Sequence, residues 1–402
     1  MSLNETPSSH RVHIGFFGKR NAGKSSVVNA VTGQKLSVVS PVKGTTTDPV
    51  YKAMELLPLG PVMIIDTPGY DDEGELGTLR VEKARQVLNK TDVAILVIDA
   101  AVGKTSQDEE ILGLFAEKGL NYVVVYNKAD LLAEKQPDSD REIYVSAETR
   151  FNIEKLKEKI GTLAATEEPR LQIVGDLLAP GDFAVLVIPI DKAAPKGRLI
   201  LPQQQTIRDI LEADATAIVV KEDALAATLA ALGQKPKIVI TDSQVFARVA
   251  AVTPDDVFLT SFSILFARFK GNLAAAVEGA RALDELSDGD AILIAEGCTH
   301  HRQCDDIGTV KLPRWIREYT KKDFNFVFTS GTEFPPDLSR FKLIIHCGAC
   351  MLNEREMRHR QKVAGLQAVP MTNYGVIISH MQGILSRSIR VFPSLEPADR
   401  QC

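Results

Sequence analysis

The sequence predicts an α/β protein whose domains are mostly parallel sheets with helices on both faces. Short apolar runs recur along the chain, and each ends at a turn signal and leads into a helical stretch. This alternation is typical of parallel strands joined by crossover helices. The chain has 402 residues, which is more than one hydrophobic core usually organises, so two or three domains are expected.

A first domain is predicted over residues 1–168. Its apolar strands are Val12 to Phe17, Pro61 to Ile65, Val93 to Asp99 and Tyr122 to Tyr126. A polar stretch with a proline, Ala164 to Pro169, follows a predicted helix and is typical of a linker between domains.

Two further α/β units are predicted, over residues 169–262 and 263–402. Their strands are Ala184 to Ile190, Thr216 to Val220, Lys237 to Thr241, Ala291 to Ala295, Phe326 to Ser330 and Leu343 to His346. The first of these units carries no phosphate-loop signature, and the second opens with a long helical segment near Ser263.

Composition excludes several classes of protein. The net charge of −5 shows no excess of the basic residues that nucleic-acid binding requires. No apolar run reaches the roughly 18 residues that a membrane span requires. The N-terminal sequence lacks the apolar core of a secretory signal, so we expect a cytoplasmic protein with reduced thiols.

A phosphate-binding loop follows the first strand, because the residues from Gly18 to Ser25 fit the pattern G-x-x-x-x-G-K-S at the start of a helix. Backbone N–H groups in such a loop point at phosphate oxygens, the lysine adds positive charge, and the serine offers a hydroxyl to Mg²⁺. The residues expected to contact the nucleotide here are Gly18, Asn21, Ala22, Gly23, Lys24, Ser25 and Ser26.

Two later strand ends carry the partners of this loop. Asp66-Thr67-Pro68-Gly69 places a carboxylate near the magnesium ion and the Gly69 N–H near the third phosphate. Asp130, in Asn127-Lys128-Ala129-Asp130, can accept two hydrogen bonds from guanine, from a donor pair that adenine lacks. Ser146-Ala147 resembles the short loop that completes the base pocket. These motifs predict a domain that binds GTP and GDP.

The switch segments indicate slow, regulatory hydrolysis. Thr45-Thr46-Thr47 lies where GTPases keep a threonine that contacts Mg²⁺; we favour Thr46, with Thr45 and Thr47 as alternatives. Tyr70 stands where Ras-like GTPases carry a glutamine that orients the attacking water. The expected catalytic residues are Lys24, Thr46, Asp66 and Gly69, and the expected magnesium ligands are Ser25, Thr46 and Asp66.

All five cysteines fall in the last third of the chain, and the fifth is the terminal Cys402. Cys298 and His300 follow one predicted strand, and His346, Cys347 and Cys350 end or follow another, which gives the pattern C-x-H-x45-H-C-x-x-C. Thiolates at positions i and i+3 can bind one metal centre, and a cysteine from a neighbouring strand can supply a third ligand. The ligand types alone fit a 4Fe-4S cluster and a tetrahedral Cys3His zinc site equally well.

One resemblance concerns the GTPase subclass. Asn21 in the phosphate loop and the stretch Gly44-Thr45-Thr46-Thr47-Asp48 resemble the tRNA-modification GTPases that use a potassium ion in place of an arginine finger. This resemblance implies that K⁺ binds near Asn21 and stimulates hydrolysis.

A second resemblance covers essentially the whole chain. The GTPase motifs, two further α/β units and the cysteine pattern resemble the HydF family of FeFe-hydrogenase maturation GTPases. The resemblance implies a homodimer with GTPase, dimerisation and cluster-binding domains, and a 4Fe-4S cluster held by Cys298, Cys347 and Cys350. It further implies a scaffold or carrier of the two-iron subcluster precursor, with the FeFe-hydrogenase apoprotein and the radical-SAM maturases as partners.

Some alternatives remain open. The fourth cluster ligand varies in the family, so His300 or His346 is the first choice here and Asp191 the second. A rival function is a GTPase of tRNA modification or ribosome assembly with a structural zinc site, although the acidic balance counts against a basic RNA-binding face. The charged run from Asn353 to Arg360 is predicted to form a helix with a solvated face, and the alternative is that its arginines hold cyanide or carboxylate groups of a cargo beside the cluster.

Overall fold

The computed structural model describes residues 6–34, 49–57, 59–69, 83–133, 138–165, 172–190, 199–271, 273–297, 306–331 and 333–392. The chain divides into two compact units, Met1–Pro169 and Arg170–Cys402. The division lies next to the boundary predicted at residue 168. The predicted α/β class is confirmed in both units, since each contains mostly parallel strands with intervening helices.

The first unit contains a six-stranded sheet with the order β2-β3-β1-β4-β5-β6, in which β2 pairs antiparallel with β3 and the other neighbours pair parallel. Its strands are β1 (Val12–Gly18), β2 (Val50–Leu56), β3 (Gly60–Asp66), β4 (Val93–Asp99), β5 (Asn121–Asn127) and β6 (Glu142–Tyr144). Its helices are α1 (Lys24–Thr32), a segment α2 at residues 83–88, α3 (Ser106–Glu117) and α4 (Ile153–Ala165). Separate hydrophobic clusters cover the two faces of this sheet, which explains why its central strands are apolar along their whole length.

The second unit contains two four-stranded sheets, and every pair of neighbouring strands in them is parallel. The strands of the first sheet are β7 (Phe183–Val187), β8 (Thr216–Val220), β9 (Ile238–Thr241) and β10 (Phe258–Ser261), and those of the second are β11 (Ala291–Glu296), β12 (Asn325–Ser330), β13 (Leu343–His346) and β14 (Met371–Asn373). The helices are α5 (Leu201–Glu212), α6 (Leu225–Ala231), α7 (Phe246–Val252), α8 (Phe262–Lys270), α9 (Leu273–Arg281), α10 (Leu312–Thr320), α11 (Glu354–Leu366), α12 (Tyr374–Met381) and α13 (Leu385–Ile389).

The two sheets of the second unit have the same topology. Their orders are β10-β9-β7-β8 and β12-β11-β13-β14, so in each the first strand is central, with the second strand on one side and the third and fourth on the other. The chain therefore turns in opposite directions from two adjacent central strands, which creates a crevice at their carboxyl ends. In the second sheet those strands are β11 and β13.

One hydrophobic cluster joins both sheets of the second unit, from Ile173 to Phe392. The segments predicted as separate domains, 169–262 and 263–402, therefore share a core. The long helix predicted near Ser263 is two helices, α8 and α9, with Gly271 between them. Helix α9 approaches β14 closely at Gly279, where an added Cβ would lie 2.4 Å from the Met371 carbonyl oxygen.

Candidate functional site

The phosphate loop connects β1 to α1, as the motif predicts. Gly23 has a φ of 82°, and a Cβ at this position would lie 2.2 Å from Nδ2 of Asn127. A Cβ on Gly18 would lie 2.5 Å from the carbonyl oxygen of Val97. Both glycines are therefore needed. Gly23 allows the left-handed conformation and the close approach of Asn127, and Gly18 allows close contact with Val97 of β4.

Lys24, Ser25 and Asp66 meet beside this loop. The Lys24 ammonium donates to Asp66 Oδ1 at 2.5 Å, and the Ser25 hydroxyl donates to Oδ2 of the same carboxylate at 3.1 Å. Thr67 secures the end of β3, since its hydroxyl donates to the Phe16 carbonyl oxygen at 2.7 Å. A hydroxyl and a carboxylate side by side at a phosphate loop are the hard oxygen ligands that Mg²⁺ prefers, so the predicted ligands Ser25 and Asp66 fit this ion.

Asn127 joins three motifs of the site. Its Nδ2 donates to the Ala22 carbonyl oxygen at 3.2 Å, and its Oδ1 accepts from the Ala147 N–H at 3.0 Å. One buried side chain thus ties the phosphate loop to the Ser146-Ala147 loop. The sequence motif marks Asn127 as a base-site residue but gives no sign of this bridging contact.

The remaining base-site residues surround Asn127. Lys128 adopts a left-handed φ of 66°, and its ammonium pairs with Asp99 at 2.5 Å. Asp130 is exposed just beyond it, while Ser146 is fully buried and its hydroxyl accepts from the Thr149 N–H. The Asp130 carboxylate is therefore placed on the accessible side of this loop, where an incoming base can reach it.

The other residues predicted for this site are only partly described. Asn21 is exposed in the phosphate loop with a φ of 64°, and Gly69 and Ser26 occupy the expected positions after β3 and in α1. The switch residues predicted in this region lie outside the described residues: Thr45, Thr46, Thr47 and Tyr70.

The H-C-x-x-C part of the cysteine motif lies at the crevice of the second sheet of the second unit. Cys347 follows β13 directly, and Cys350 is three residues further on. Strand β11, which precedes Cys298, is the hydrogen-bonded neighbour of β13. Cys298, His300 and Asp191 themselves lie outside the described residues.

Backbone N–H groups surround the Cys347 sulfur in the loop after β13. The Sγ of Cys347 accepts from the Gly297 N–H at 3.0 Å and from the Ala349 N–H at 3.4 Å. Ala349 has a φ of 52°, which turns the chain tightly between the two cysteines. Backbone N–H groups directed at sulfur are among the features that tune iron–sulfur centres, so this loop fits such a group. Within the described ranges no set of three or more possible ligands meets at one point.

His346 is held away from a ligating role in this arrangement. It is fully buried, and the Arg360 guanidinium donates to its Nε2 at 3.0 Å. The proton therefore lies on Nδ1, which donates to the Cys347 carbonyl oxygen at 2.9 Å. Burial, and then the charge of Arg360, lowers the pKa of His346 to about 3. Both ring nitrogens of His346 are therefore engaged in this structure.

The charged run after the cysteines forms α11, as predicted, but the predicted solvated face is wrong for two of its residues. Arg360 is fully buried and Glu356 nearly so, and they pair at 2.9 Å. Arg360 also donates to the Gly331 carbonyl oxygen at 2.8 Å. The error has a physical reason. A Glu and an Arg spaced i, i+4 look the same in the sequence whether the pair is exposed or, like Glu356 and Arg360, buried against the end of β13.

A pocket of about 380 Å³ borders the cysteine loop. Its floor includes Cys347, Gly348 and Ala349, and its walls come largely from apolar residues of α8, α9 and α11. Lys270, at the end of α8, also faces this pocket. The loop thus lies beside a largely apolar space of small-ligand size.

Three family models match successive parts of the chain. Residues 13–128 match a model described as 50S ribosome-binding GTPase. Residues 173–271 match the hydrogen maturase F dimerization domain, and residues 274–391 match the hydrogen maturase F tetramerization domain. The junction between the last two models lies at the break between α8 and α9, later than the boundary predicted at residue 262. These two domains support self-association of the chain.

Curated relatives resemble only part of the chain. GTPase Der of Kosmotoga olearia is 35% identical over 177 residues, which are 39% of this chain and 40% of that protein. The tRNA modification GTPase MnmE of Dechloromonas aromatica is 32% identical over 158 residues, 38% of this chain and 35% of that protein. The chain thus spans about two fifths of the length of the first of these relatives.

A crystal structure of Aquifex aeolicus Era bound to GDP.AlF4- covers 55% of this chain and 98% of that chain, with 21% identity and a TM-score of 0.35. No helix in the described part of the chain is both long and apolar enough to cross a membrane.

The two hydrogen maturase F models together cover more than half of the chain and follow a P-loop GTPase domain. The chain therefore belongs to the hydrogen maturase F family of GTPases.

Proposed function

We propose that this protein is a cytoplasmic GTP-regulated scaffold for maturation of FeFe-hydrogenase. In this proposal it holds a 4Fe-4S cluster through Cys298, Cys347 and Cys350, carries the two-iron subcluster precursor, and delivers it to the hydrogenase apoprotein. The observation that carries the proposal is the combination, in one chain, of a complete phosphate-loop site with a cysteine loop at the crevice of a hydrogen maturase F domain.

GTP binding and hydrolysis are proposed for the first unit. Lys24 would contact the β- and γ-phosphates of a bound nucleotide, and Ser25 and Asp66 would hold the magnesium ion directly or through water. A bound magnesium ion would neutralise charge on the phosphates. Asp130 selects guanine, and the main-chain N–H groups around Gly23 hold the phosphates. Asn21 is the proposed contact for K⁺, and Thr46 the proposed switch threonine.

Cluster binding is proposed for the second unit. Three thiolates anchor the cluster and leave one iron for a ligand that can be exchanged, which suits a carrier because release of cargo then breaks no thiolate bond. The engaged ring of His346 favours His300 or Asp191 for that fourth position. When bound, the cluster would supply an iron with an exchangeable ligand.

Homodimer formation is proposed through the first sheet of the second unit. Strand β8 is an edge strand of that sheet, and Val219 within it is 46% exposed. An apolar edge strand offers unpaired N–H and C=O groups to a second copy of the same strand. The hydrogenase apoprotein and the radical-SAM maturases are the proposed functional partners.

The first experiment measures iron, sulfide and zinc in anaerobically reconstituted protein, with electron paramagnetic resonance after reduction. A variant with Cys298→Ser, Cys347→Ser and Cys350→Ser is the control. About four irons per chain, a reduced-cluster signal in the wild type and no signal in the variant are expected. Stoichiometric zinc without iron would instead support the rival GTPase of tRNA modification or ribosome assembly.

A second experiment addresses potassium. GTP hydrolysis is measured in K⁺ and in Na⁺ for the wild type and for Asn21→Ala, with GDP affinity as the control. We expect hydrolysis to be faster in K⁺ for the wild type only, with little change in GDP affinity. Equal stimulation in the variant would remove Asn21 from this role.

A further inference from the structure

Lys270 makes an unusual set of contacts with the cysteine loop. It is the last residue of α8, in the segment that matches the dimerization domain, and only 4% of it is exposed. Its ammonium donates to the carbonyl oxygens of Ala349 at 2.9 Å, of Leu352 at 2.7 Å and, more weakly, of Cys350 at 3.4 Å. One buried cation therefore binds the backbone on both sides of Cys350.

The charge of Lys270 faces the thiols. The Lys270 ammonium is near enough to Cys350 and Cys347 to interact electrostatically with both thiols. Lys270 and Cys347 also line the same pocket, so the two residues border one space.

The second buried cation near the loop is different. Arg360 pairs with the carboxylate of Glu356 in its own helix and donates to the ring of His346, so one of its partners is an anion. The three hydrogen-bond acceptors of Lys270 are neutral carbonyl groups. A buried ammonium bound to neutral carbonyls is screened little by water, so its field acts at short range, with Glu354 as a nearby acidic side chain.

We propose that Lys270 is a positioning residue of the cluster site, which holds the Cys347 to Leu352 turn in place and stabilises the extra negative charge of the reduced cluster. Only the second part of this inference, stabilisation of the reduced cluster, rests on the proposed function. It ties the end of the dimerization region to the cluster loop through one side chain. Reduction adds one electron to a group that already carries thiolate charge, so a fixed cation nearby favours the reduced form.

Two variants separate charge from hydrogen bonding. Lys270→Gln keeps N–H donors for the carbonyls and loses the charge, whereas Lys270→Met loses both. Lys322→Met is the matched control, because the Lys322 ammonium also donates to a carbonyl oxygen, that of Leu286. This contact lies at the amino-terminal ends of β11 and β12, opposite the cysteine loop.

The measurements are a redox titration of the reconstituted protein, followed by electron paramagnetic resonance, and hydrogen exchange of the amides of residues 347–352 in the metal-free protein. We expect both Lys270 variants to have a lower reduction potential than the wild type. Lys270→Met alone should show roughly tenfold faster exchange, since buried hydrogen bonds of the loop are lost. Lys322→Met should change neither quantity.

The outcomes are distinguishable. An unchanged potential in Lys270→Gln would overturn the electrostatic part and leave a structural lysine, and unchanged exchange in Lys270→Met would overturn the positioning part. Failure of the wild type to bind iron would contradict the proposed function and the electrostatic part together, while hydrogen exchange would still decide whether Lys270 holds the turn.

Discussion

The phosphate loop and the cysteine loop both follow the carboxyl ends of central parallel strands, yet different kinds of contact hold them. The phosphate loop is held by backbone geometry and by neighbouring motif residues, such as the left-handed Gly23 and the contact of Asn127 with Ala22. The cysteine loop is held by the buried ammonium of Lys270, and the buried guanidinium of Arg360 holds His346 directly before the loop.

This difference follows from what each loop must bind. Phosphate groups are recognised by N–H groups, so the backbone conformation of a short sequence is itself the binding site. Thiolates carry the chemistry in their side chains, so the backbone around them has to be fixed from elsewhere. Substitutions far from Cys347 in the sequence should therefore affect its loop more than comparable substitutions affect the phosphate loop.

The largest effect is expected for Arg360→Met. The variant leaves buried Glu356 and His346 without their partner, and removing one member of a buried pair costs about 3–5 kcal/mol. Urea unfolding of the full chain should show this loss in the transition of the second unit, with GDP binding unchanged. Arg358→Met is the control, since Arg358 forms an exposed pair with Glu354 that contributes less than about 1 kcal/mol. Equal losses in both variants would contradict the role given to Arg360.

The next effect concerns Asp130→Asn at the base site. Loss of two charge-assisted hydrogen bonds to guanine should weaken GDP binding about 100-fold, or about 3 kcal/mol. Xanthosine diphosphate carries a carbonyl where guanine carries an amine, so it should bind the variant better than GDP does. Competition titrations with the two nucleotides check this, and an unaltered preference for GDP would exclude Asp130 from base recognition.

A smaller effect is expected for Gly23→Ala. A side chain at a φ of 82° with Asn127 Nδ2 only 2.2 Å from its Cβ should strain the loop and weaken nucleotide binding by roughly tenfold or more. Fluorescence titration with a labelled GDP measures the affinity. Gly113→Ala is the control, because a Cβ there meets no atom within 4 Å, and its affinity should equal that of the wild type.

The smallest effect is expected for Tyr374→Phe, at the carboxyl ends of β11 and β14. The partly buried Tyr374 hydroxyl donates to Glu296 Oε1 at 3.1 Å, and its loss should cost about 1 kcal/mol of unfolding free energy in the second unit. Tyr319→Phe loses a similar bond to Asp284 at an exposed site and should cost less. A larger loss of unfolding free energy in Tyr319→Phe than in Tyr374→Phe would contradict the stabilising role given to the Tyr374–Glu296 hydrogen bond.

Much of the first unit could be predicted from sequence alone. The loop from Gly18 to Ser25, Asp66 and Asn127 each sit at the strand end where the motif spacing places them. The prediction succeeded because these contacts follow from short stretches that carry their own geometry. The bridge made by Asn127 was not predictable, since it joins positions 105 residues apart.

The second unit was less predictable. Its strands could be recognised from their apolar runs, but the shared core of its two sheets could not, because an apolar face does not specify its partner. The burial of Arg360 and the engaged ring of His346 escaped prediction for the same reason. A charged residue in a helical run is usually solvated, and only the packing of α11 against the end of β13 reverses that expectation.

By itself the sequence determined the α/β class, the phosphate loop, the guanine motif and the cysteines at strand ends, because each is encoded in a few consecutive residues. Only the tertiary structure decided which charged side chains hold the cysteine loop. Lys270 and Ala349 are 79 residues apart, and their contact exists because folding buries an ammonium that must then find carbonyl oxygens. Local chemistry thus specifies the binding groups, and burial specifies what supports them.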